Sequence, residues 1–489
     1  MELKKLLENV EVEHYNGSLD NHDIKDLSSD SRQVKKNDMY IALPGTKTDG
    51  HHYIDEVTKR GCEAVLCETD WLKSQYNLKI ETAYIGVKNT RKSFSTISAN
   101  FYENPTKKMY MVGVTGTNGK TTTTHIIENI LKENGKKTGI LGTLYARYGG
   151  ITETAKYTTP MTNELQKTFK KMLDVEVEAV VMEVSSHALD QYRVGACDFD
   201  VAIFTNLTQD HLDYHPTFEH YKEAKGILFK ELVKETGVSI INLDDPNSKY
   251  YIDNSKARVV TYGLSEKANI YAKDISLKMD GTTFTAVTPV GEIYLNLNLV
   301  GKFNVYNTLA ALAFGIATNI PLEICRKALE ATLGVAGRIE IVTPKGHPYT
   351  VVVDYAHTPD SLDNVLKTAR EFTTNKLISV FGCGGDRDKT KRPIMGGIGA
   401  RASDISVITS DNPRTEEPKK IINDILQGIP EKEKVIVEVD RKEAIRKAIG
   451  MASKGDTVVI AGKGHEDYQI FKDETIHFDD REVAREFIK

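Results

Sequence analysis

The sequence predicts an α/β protein in which mostly parallel sheets are flanked by helices. Three observations predict it. A glycine-rich segment, Gly113-Val-Thr-Gly116-Thr-Asn118-Gly119-Lys120-Thr121-Thr122, lies between an apolar strand-like run and a helical one. Apolar runs alternate with helical patterns along the rest of the chain, as parallel sheets with helical crossovers require. The 489 residues are enough for about three domains. The fold class is therefore α/β with three domains: an N-terminal domain (1–106), a central P-loop-type parallel sheet with flanking helices (107–336) and a C-terminal Rossmann-like domain (337–489).

The elements follow in order. The first block carries short mixed patterns: strand-like 38–43, helical 54–61 and strand-like 64–67, with Asn104-Pro105-Thr106 as a linker. The second opens on the apolar run 109–114 and the glycine segment. Ile126, Ile127, Ile130 and Leu131 then share a helical face, and Gly135 stops the helix. Strands over 179–184, 199–205 and 238–242 alternate with helices over 163–173 and 218–232. The block closes after a helix at 304–317, near Gly337. In the third, strands over 350–354, 377–381, 405–409 and 457–461 are joined by helices over 361–372, 393–402, 418–426 and 441–451. No internal repeat or low-complexity segment interrupts the pattern.

Composition narrows the class. Apolar residues make up 40% and charged residues 27%, and the net charge is −5 with no long basic block. Nucleic acid and anionic membrane are poor partners for such a surface. The N-terminal stretch lacks a signal-peptide core, and no run reaches the ~18 apolar residues of a membrane span. Five cysteines (62, 67, 197, 325 and 383) show no C-x-x-C spacing. Free thiols and a cytoplasmic monomer are expected.

The glycine segment is a phosphate cradle. Glycines turn backbone N–H groups toward an anion, and the helix N-terminus adds partial positive charge. Lys120 reaches the outer phosphates, and the Thr121 hydroxyl suits Mg²⁺. The fit to G-x-x-x-x-G-K-[ST] is imperfect: Val114 stands five before Gly119, and the glycine is one residue earlier. Glu183 ends an apolar strand, as a Mg²⁺ carboxylate in a nucleotide site would. The run from Asn206 to His215 gathers Asp210, His211 and Asp213 after another strand, without the H-E-x-x-H spacing of a zinc protease. Lys225, from composition alone, reads as a surface lysine.

Four polar clusters of the third block fall just after strands: Asp354 to His357, Gly382 to Asp388, Ser410 to Arg414 and Gly462 to Glu466. The carboxyl ends of parallel strands border one crevice, so these four segments are expected to line one pocket. There Arg387 and Arg414 suit a carboxylate and Glu466 an ammonium, as an amino-acid ligand would need.

Gly116-Thr-Asn-Gly-Lys-Thr, Glu183-Val-Ser-Ser-His187, Asn206-Leu-Thr, Asp210-His211-Leu-Asp213 and the four clusters together resemble the Mur ligases, from Asp30-Ser31-Arg32 to Gly464-His465-Glu466. The resemblance implies an ATP-dependent amide ligase of peptidoglycan precursor synthesis. Asp411-Asn412-Pro413-Arg414 resembles the branch that adds meso-2,6-diaminopimelate to the D-glutamate side chain of UDP-N-acetylmuramoyl-L-alanyl-D-glutamate. The terminal carboxylate of diaminopimelate gives Arg414 a partner that lysine does not offer. By matching positions, the resemblance places ATP on Gly116, Thr117, Asn118, Gly119, Lys120, Thr121, Thr122, Asn304, Arg338 and Asp354. It places the uridine nucleotide on Ser31, Thr46, Lys47 and Thr48, and the muramoyl dipeptide on Thr158, Thr159, Ser185, Gln191 and Arg193. Diaminopimelate falls to Arg387, Asp411, Asn412, Pro413, Arg414, Gly462 and Glu466. Lys120, Glu183, His211 and Lys225 are the implied catalytic set, with Mg²⁺ near Thr121, Glu183, His211 and a carbamylated Lys225. Competing readings are a lysine-adding relative, a folylpolyglutamate synthetase-like ligase, and a P-loop ATPase without ligase activity.

Overall fold

Valine- and isoleucine-rich runs bury both faces when helices cover a parallel sheet, and three such sheets follow one another along this chain. The computed structural model describes residues 1–489 except 46, 47, 77, 80, 156, 279, 280, 345, 431–434 and 489. The first sheet has five strands in the order Val12–Asn16, Ala83–Val87, Ala64–Glu68, Met39–Ile41 and Leu27–Ser28. Its first pair is antiparallel and the rest parallel.

The second sheet has eleven strands. At its centre lies Tyr110–Thr115, between Ala179–Glu183 on one side and Phe199–Phe204 on the other. The chain leaves this strand first toward one side, through Thr138–Leu141 and Ala179–Glu183, then toward the other. That reversal makes a topological switch point at the carboxyl end of Tyr110–Thr115, where open α/β sheets bind ligands. Register brings the chemistry level: Glu183 pairs with Val114, and Phe204 with Thr115. Val112, Val114, Val201 and Ile203 of the sheet and Ile126 and Ile127 of the helix Lys120–Glu133 are fully buried in one core, to which the helix Lys302–Ala317 also contributes. Each such side chain contributes about 1.5–3 kcal/mol by leaving water, so the cradle stands on rigid packing.

The third sheet runs in the order Glu340–Ile341, Thr350–Asp354, Thr457–Ala461, Leu377–Phe381, Ile405–Ile408 and Val435–Val437, with the last five parallel. Asp354 pairs with Ala461 and Phe381 with Ile408. The four polar clusters therefore emerge from one edge of the sheet, as expected.

Several elements were not legible in the sequence. Beyond Arg258–Gly263 the second sheet continues as an antiparallel extension, Ile270–Lys278, Gly281–Thr288 and Gly291–Leu297. Its other edge carries the hairpin Tyr145–Tyr148 and Ile151–Thr154. The helix expected over 218–232 is Phe218–Ile227, closed by a π-turn at Leu228–Leu232. The segment 104–106 is a left-handed Asn104 leading into a 3₁₀ turn, with Thr106 buried and donating to Ala196 O at 3.5 Å.

Candidate active site

The cradle forms where the strand Tyr110–Thr115 meets the helix Lys120–Glu133. Gly116 has φ +149°, and a Cβ there would collide with the Thr205 hydroxyl, so the turn needs glycine. Gly113, by contrast, is a strand residue packed against the Phe199 ring. The imperfect spacing is thereby explained: the glycines that shape the cradle are 116 and 119. The next strand end braces the loop. Thr117 N donates to Asn206 O at 2.8 Å, Asn118 N to Asn206 Oδ1 at 2.9 Å, and Thr205 Oγ1 to Asn118 O at 2.6 Å.

Two lysines converge on this loop. Lys120 Nζ donates to Gly116 O at 2.9 Å and Thr117 O at 2.8 Å. Lys225 Nζ donates to the same Gly116 O at 2.9 Å and sits 4.6 Å from the Tyr221 ring centre. Lys225 is 1% exposed, so the surface reading is overturned: its helix turns this face inward. Burial and then the neighbouring Lys120 lower the Lys225 pKa well below the ordinary lysine value, and burial lowers that of Lys120. Among the described residues neither ammonium has a carboxylate in ion-pair contact. The loop thus gathers two buried amines with no resident counter-ion.

Glu183 is buried rather than solvated. Its Oε1 accepts from Thr143 N at 2.9 Å and its Oε2 from Thr143 Oγ1 at 3.0 Å. Thr143 Oγ1 lies 3.1 Å from Thr158 Oγ1. Thr159 Oγ1 donates to Glu183 O at 2.9 Å and accepts from Ser185 N at 3.1 Å. Arg193 donates to Thr159 O at 3.0 Å and to Gln191 Oε1 at 2.8 Å. Thr158, Thr159, Glu183, Ser185, Gln191 and Arg193 therefore belong to one hydrogen-bonded network, although up to 35 positions separate them in sequence. His211 has φ +54°, stacks edge-on to His187 at 4.8 Å, and is held neutral by burial. Thr143 was missed in the sequence, where nothing distinguished it from a loop residue, and His187, which closes the Glu183-Val-Ser-Ser-His187 motif, carried no role of its own there.

The third sheet is joined to the cradle by side chains. Arg338 Nη2 donates to Thr121 Oγ1 at 3.3 Å, and its guanidinium lies 4.8 Å from the Tyr355 ring centre. Asn118 Nδ2 donates to Asp360 Oδ2 at 2.7 Å, and Thr208 Oγ1 to the same oxygen at 3.4 Å. Asp360 went unnoticed because it looks like an ordinary first-turn helix acid. Asp354 accepts from Ile339 N at 2.7 Å and Ala356 N at 2.8 Å. Asn304 accepts from Asn307, whose Oδ1 accepts in turn from Thr123 of the cradle helix.

The four clusters do meet. Arg414 Nη1 donates to Gly385 O at 2.9 Å, and Asn412 Nδ2 to Glu466 Oε2 at 2.9 Å. A Cβ on Gly462, at φ +123°, would meet Asp411 Oδ2. Pro413 O borders Gly385. Arg387 is exposed, and Arg414 is half-buried with its pKa lowered by burial and then by Arg387. Among the described residues neither makes an ion pair. Glu466 is less free than its type suggested: fully buried Lys463 donates to Asn412 Oδ1 at 3.1 Å and lies 3.4 Å from Glu466 Oε2. A cavity of about 510 Å³ opens beside Arg414, bounded also by Thr415, Glu417 and Phe471.

Ser31 and Thr48 of the N-terminal block have partners within that block. Ser31 O accepts from Arg60 Nη1 at 2.8 Å, and Thr48 Oγ1 lies 3.1 Å from Tyr53 Oη. Thr46 and Lys47 lie outside the described residues.

Comparison with known proteins agrees with this geometry. The Mur ligase middle domain matches residues 114–315, the Mur ligase glutamate ligase domain 337–464, and the Mur ligase family catalytic domain 23–102. A UDP-N-acetylmuramoyl-L-alanyl-D-glutamate–2,6-diaminopimelate ligase of Bacillus cereus is 45% identical over 474 residues, 96% of this chain and 95% of the relative. A solved structure of a UDP-N-acetylmuramoyl-L-alanyl-D-glutamate–2,6-diaminopimelate ligase superposes with a TM-score of 0.71 at 32% identity, covering 100% of this chain and 98% of the other. A MurF ligase of Thermotoga maritima, solved in complex with ADP, shares the fold at TM-score 0.63 and 19% identity over 95% of this chain and 97% of its own. Matched along nearly its whole length, with its cradle, carboxylate network and loop cluster in place, this chain belongs to the Mur ligase family.

Proposed function

We propose that the chain is an ATP-dependent amide ligase that joins meso-2,6-diaminopimelate to the D-glutamate side-chain carboxylate of UDP-N-acetylmuramoyl-L-alanyl-D-glutamate. The observation that carries this reading is the joining of the phosphate cradle to the third sheet through Thr121–Arg338 and Asn118–Asp360, with two unpaired guanidiniums in that sheet's loop cluster. A nucleotide site alone needs no such second pocket. The working units are 1–106 for the UDP-sugar, 107–336 for ATP and 337–489 for the amino acid. The protein acts as a cytoplasmic monomer, and no described helix is long and apolar enough to cross a membrane.

A carboxylate and an amine do not condense in water without activation. The γ-phosphoryl group of ATP passes to a glutamate carboxylate oxygen, giving ADP and an acyl phosphate. The diaminopimelate amine attacks the acyl carbon, a proton is lost, and phosphate leaves from the tetrahedral intermediate. The cradle residues Gly116 to Thr122 hold the phosphates, with the N–H groups of Thr117 and Asn118 bracing the loop on Asn206, and Lys120 balances charge on the transferring group. Asn304, Arg338 and Asp354 hold the remainder of the nucleotide across the cleft. Ser31 with Thr46 to Thr48, and Thr158, Thr159, Ser185, Gln191 and Arg193, orient the acceptor carboxylate beside Glu183. Arg387, Asp411 to Arg414, Gly462 and Glu466 hold diaminopimelate. Enclosure between the sheets keeps water from the acyl phosphate.

Thr121, Glu183, His211 and Lys225 as its carbamate would hold Mg²⁺, which supplies charge neutralisation during transfer. The donors fit: a hydroxyl and carboxylate oxygens suit a hard cation that takes few protein ligands and completes its shell with phosphates and water. Among the described residues no group of three His, Cys, Asp or Glu comes together to hold a metal. Lys225 suits carbamylation because burial and the neighbouring Lys120 lower its pKa well below the ordinary lysine value, which favours the neutral amine that adds CO₂ with loss of one proton. In ¹³C-bicarbonate the wild-type protein is expected to show a carbamate carbon signal that Lys225→Ala lacks. Its absence from the wild type would end this assignment.

The reading is tested with ATP, UDP-N-acetylmuramoyl-L-alanyl-D-glutamate and a panel of amino acids, following phosphate release. Rapid release with meso-diaminopimelate and little with L-lysine is expected. Full-speed ATP hydrolysis without either substrate would instead identify an uncoupled ATPase.

A further inference from the structure

Arg91 opens the helix Thr90–Phe101, which Asn89 caps by accepting from Lys92 N at 3.0 Å. It is half-buried, and its Nη2 donates to Pro44 O at 2.6 Å. Pro44 shortly precedes Thr46 to Thr48 in the sequence, assigned above to the uridine nucleotide. One turn further along the same helix face stands Ser95. The Ser95 hydroxyl accepts from Ala196 N at 2.9 Å and from Thr162 Oγ1 at 3.4 Å. These contacts pin the face that carries Arg91 against the segment that carries Arg193.

The neighbourhood has positive charge and no resident anion for it. Arg91 is close enough to Arg193 to disfavour its charged form, although burial is the larger cause. Arg193 has donors committed to Gln191 Oε1 and Thr159 O, and its guanidinium lies 5.6 Å from the Tyr157 ring centre. Asp190 accepts from Tyr214 Oη at 2.5 Å and lies 3.7 Å from His220 Nε2. Among the described residues no carboxylate makes an ion pair with Arg91 or Arg193. Two guanidiniums, one on a helix that packs on the first sheet and one on a turn of the second unit, with no counter-ion between them, are costly until an anion enters, and a bidentate anion satisfies both.

We propose that Arg91 and Arg193 form a clamp, across the boundary between the first and second sheets, for an anionic group of the UDP-sugar substrate. The group is either the pyrophosphate or a carboxylate of the dipeptide. This rests on the ligase reading above. It adds Arg91, a residue that nothing in the sequence distinguished from a surface cation, and it ties seating of the substrate to docking of the first unit on the second.

Calorimetric titration of the full chain tests it with three ligands: uridine, UDP-N-acetylglucosamine and UDP-N-acetylmuramoyl-L-alanyl-D-glutamate. Arg91→Ala is expected to weaken the dipeptide ligand by about 10- to 100-fold, the usual effect of losing a charge-assisted pair. Uridine binding and the unfolding midpoint stay at the wild-type values, and Arg91→Lys recovers part of the loss. A loss shared by UDP-N-acetylglucosamine assigns the clamp to the pyrophosphate; a loss confined to the dipeptide ligand assigns it to the carboxylate. Unchanged affinity for all three, or an equal loss for uridine, overturns the proposal, the latter because Arg91 would then only hold the Pro44 loop. A wild-type protein that binds uridine but not the dipeptide ligand overturns the ligase reading and the clamp together.

Discussion

Lys120→Ala is expected to lower kcat for product formation by about 10³-fold, near 4 kcal/mol in the transition state. The unfolding midpoint should remain close to that of the wild type. Both expectations come from the same contacts. The Lys120 ammonium is held by two carbonyls, Gly116 O and Thr117 O, and by no acid. Removing it leaves no buried carboxylate unpaired, and it relieves repulsion on Lys225, which shares the Gly116 carbonyl. The loss therefore falls on the phosphoryl group in flight, whose charge the ammonium balances. Lys120→Arg keeps the charge but not the reach, and should recover only part of the rate. Single-turnover measurement of acyl transfer, with circular dichroism to confirm folding, checks this. Turnover at the wild-type rate in Lys120→Ala would remove the cradle assignment.

Arg414→Ala should raise KM for meso-diaminopimelate by about 10²-fold, as expected for a lost bidentate guanidinium–carboxylate pair, while KM for ATP stays near its starting value. Arg414 adopts φ +53°, and its Nη1 is anchored on Gly385 O, so the guanidinium is fixed before ligand arrives. A preorganised donor loses little entropy on binding, which is why the effect is large. Arg414 is tied to the cluster through backbone as well, with its N donating to Ile470 O at 3.0 Å, so truncating the side chain leaves the loop held. Discrimination against L-lysine should shrink in the same variant, because lysine never used the lost partner. Steady-state kinetics with both amino acids and with ATP decide the matter. A proportional rise in both KM values would mean that Arg414 supports the fold of the cluster and does not select the ligand.

Much of the architecture was legible because its signals are local. The strands Thr350–Asp354, Leu377–Phe381 and Thr457–Ala461 and the helices Pro418–Leu426 and Arg441–Met451 stand where runs of apolar residues and their spacing placed them. The helix Lys120–Glu133 ends just before Gly135, at φ +77°. Elements that escaped notice are short or amphipathic, such as the hairpin of Tyr468–Ile470 and Thr475–His477, whose stability comes from neighbours and not from its own pattern.

Residue types and order along the chain determined the phosphate cradle, the alternation of strand and helix, and the polar clusters at strand ends, because those depend on spacing within a few residues. Only the tertiary structure decided which charges are buried, which are paired, and which meet across sheets. It took Lys225 from the surface to the Gly116 carbonyl, engaged Glu466 with Lys463, and set Asp360 against Asn118, 242 positions away. A charged side chain has the same local sequence signal whether water or protein surrounds it. The difference lies in desolvation and in partners supplied by distant segments, and these exist only once the three sheets have packed.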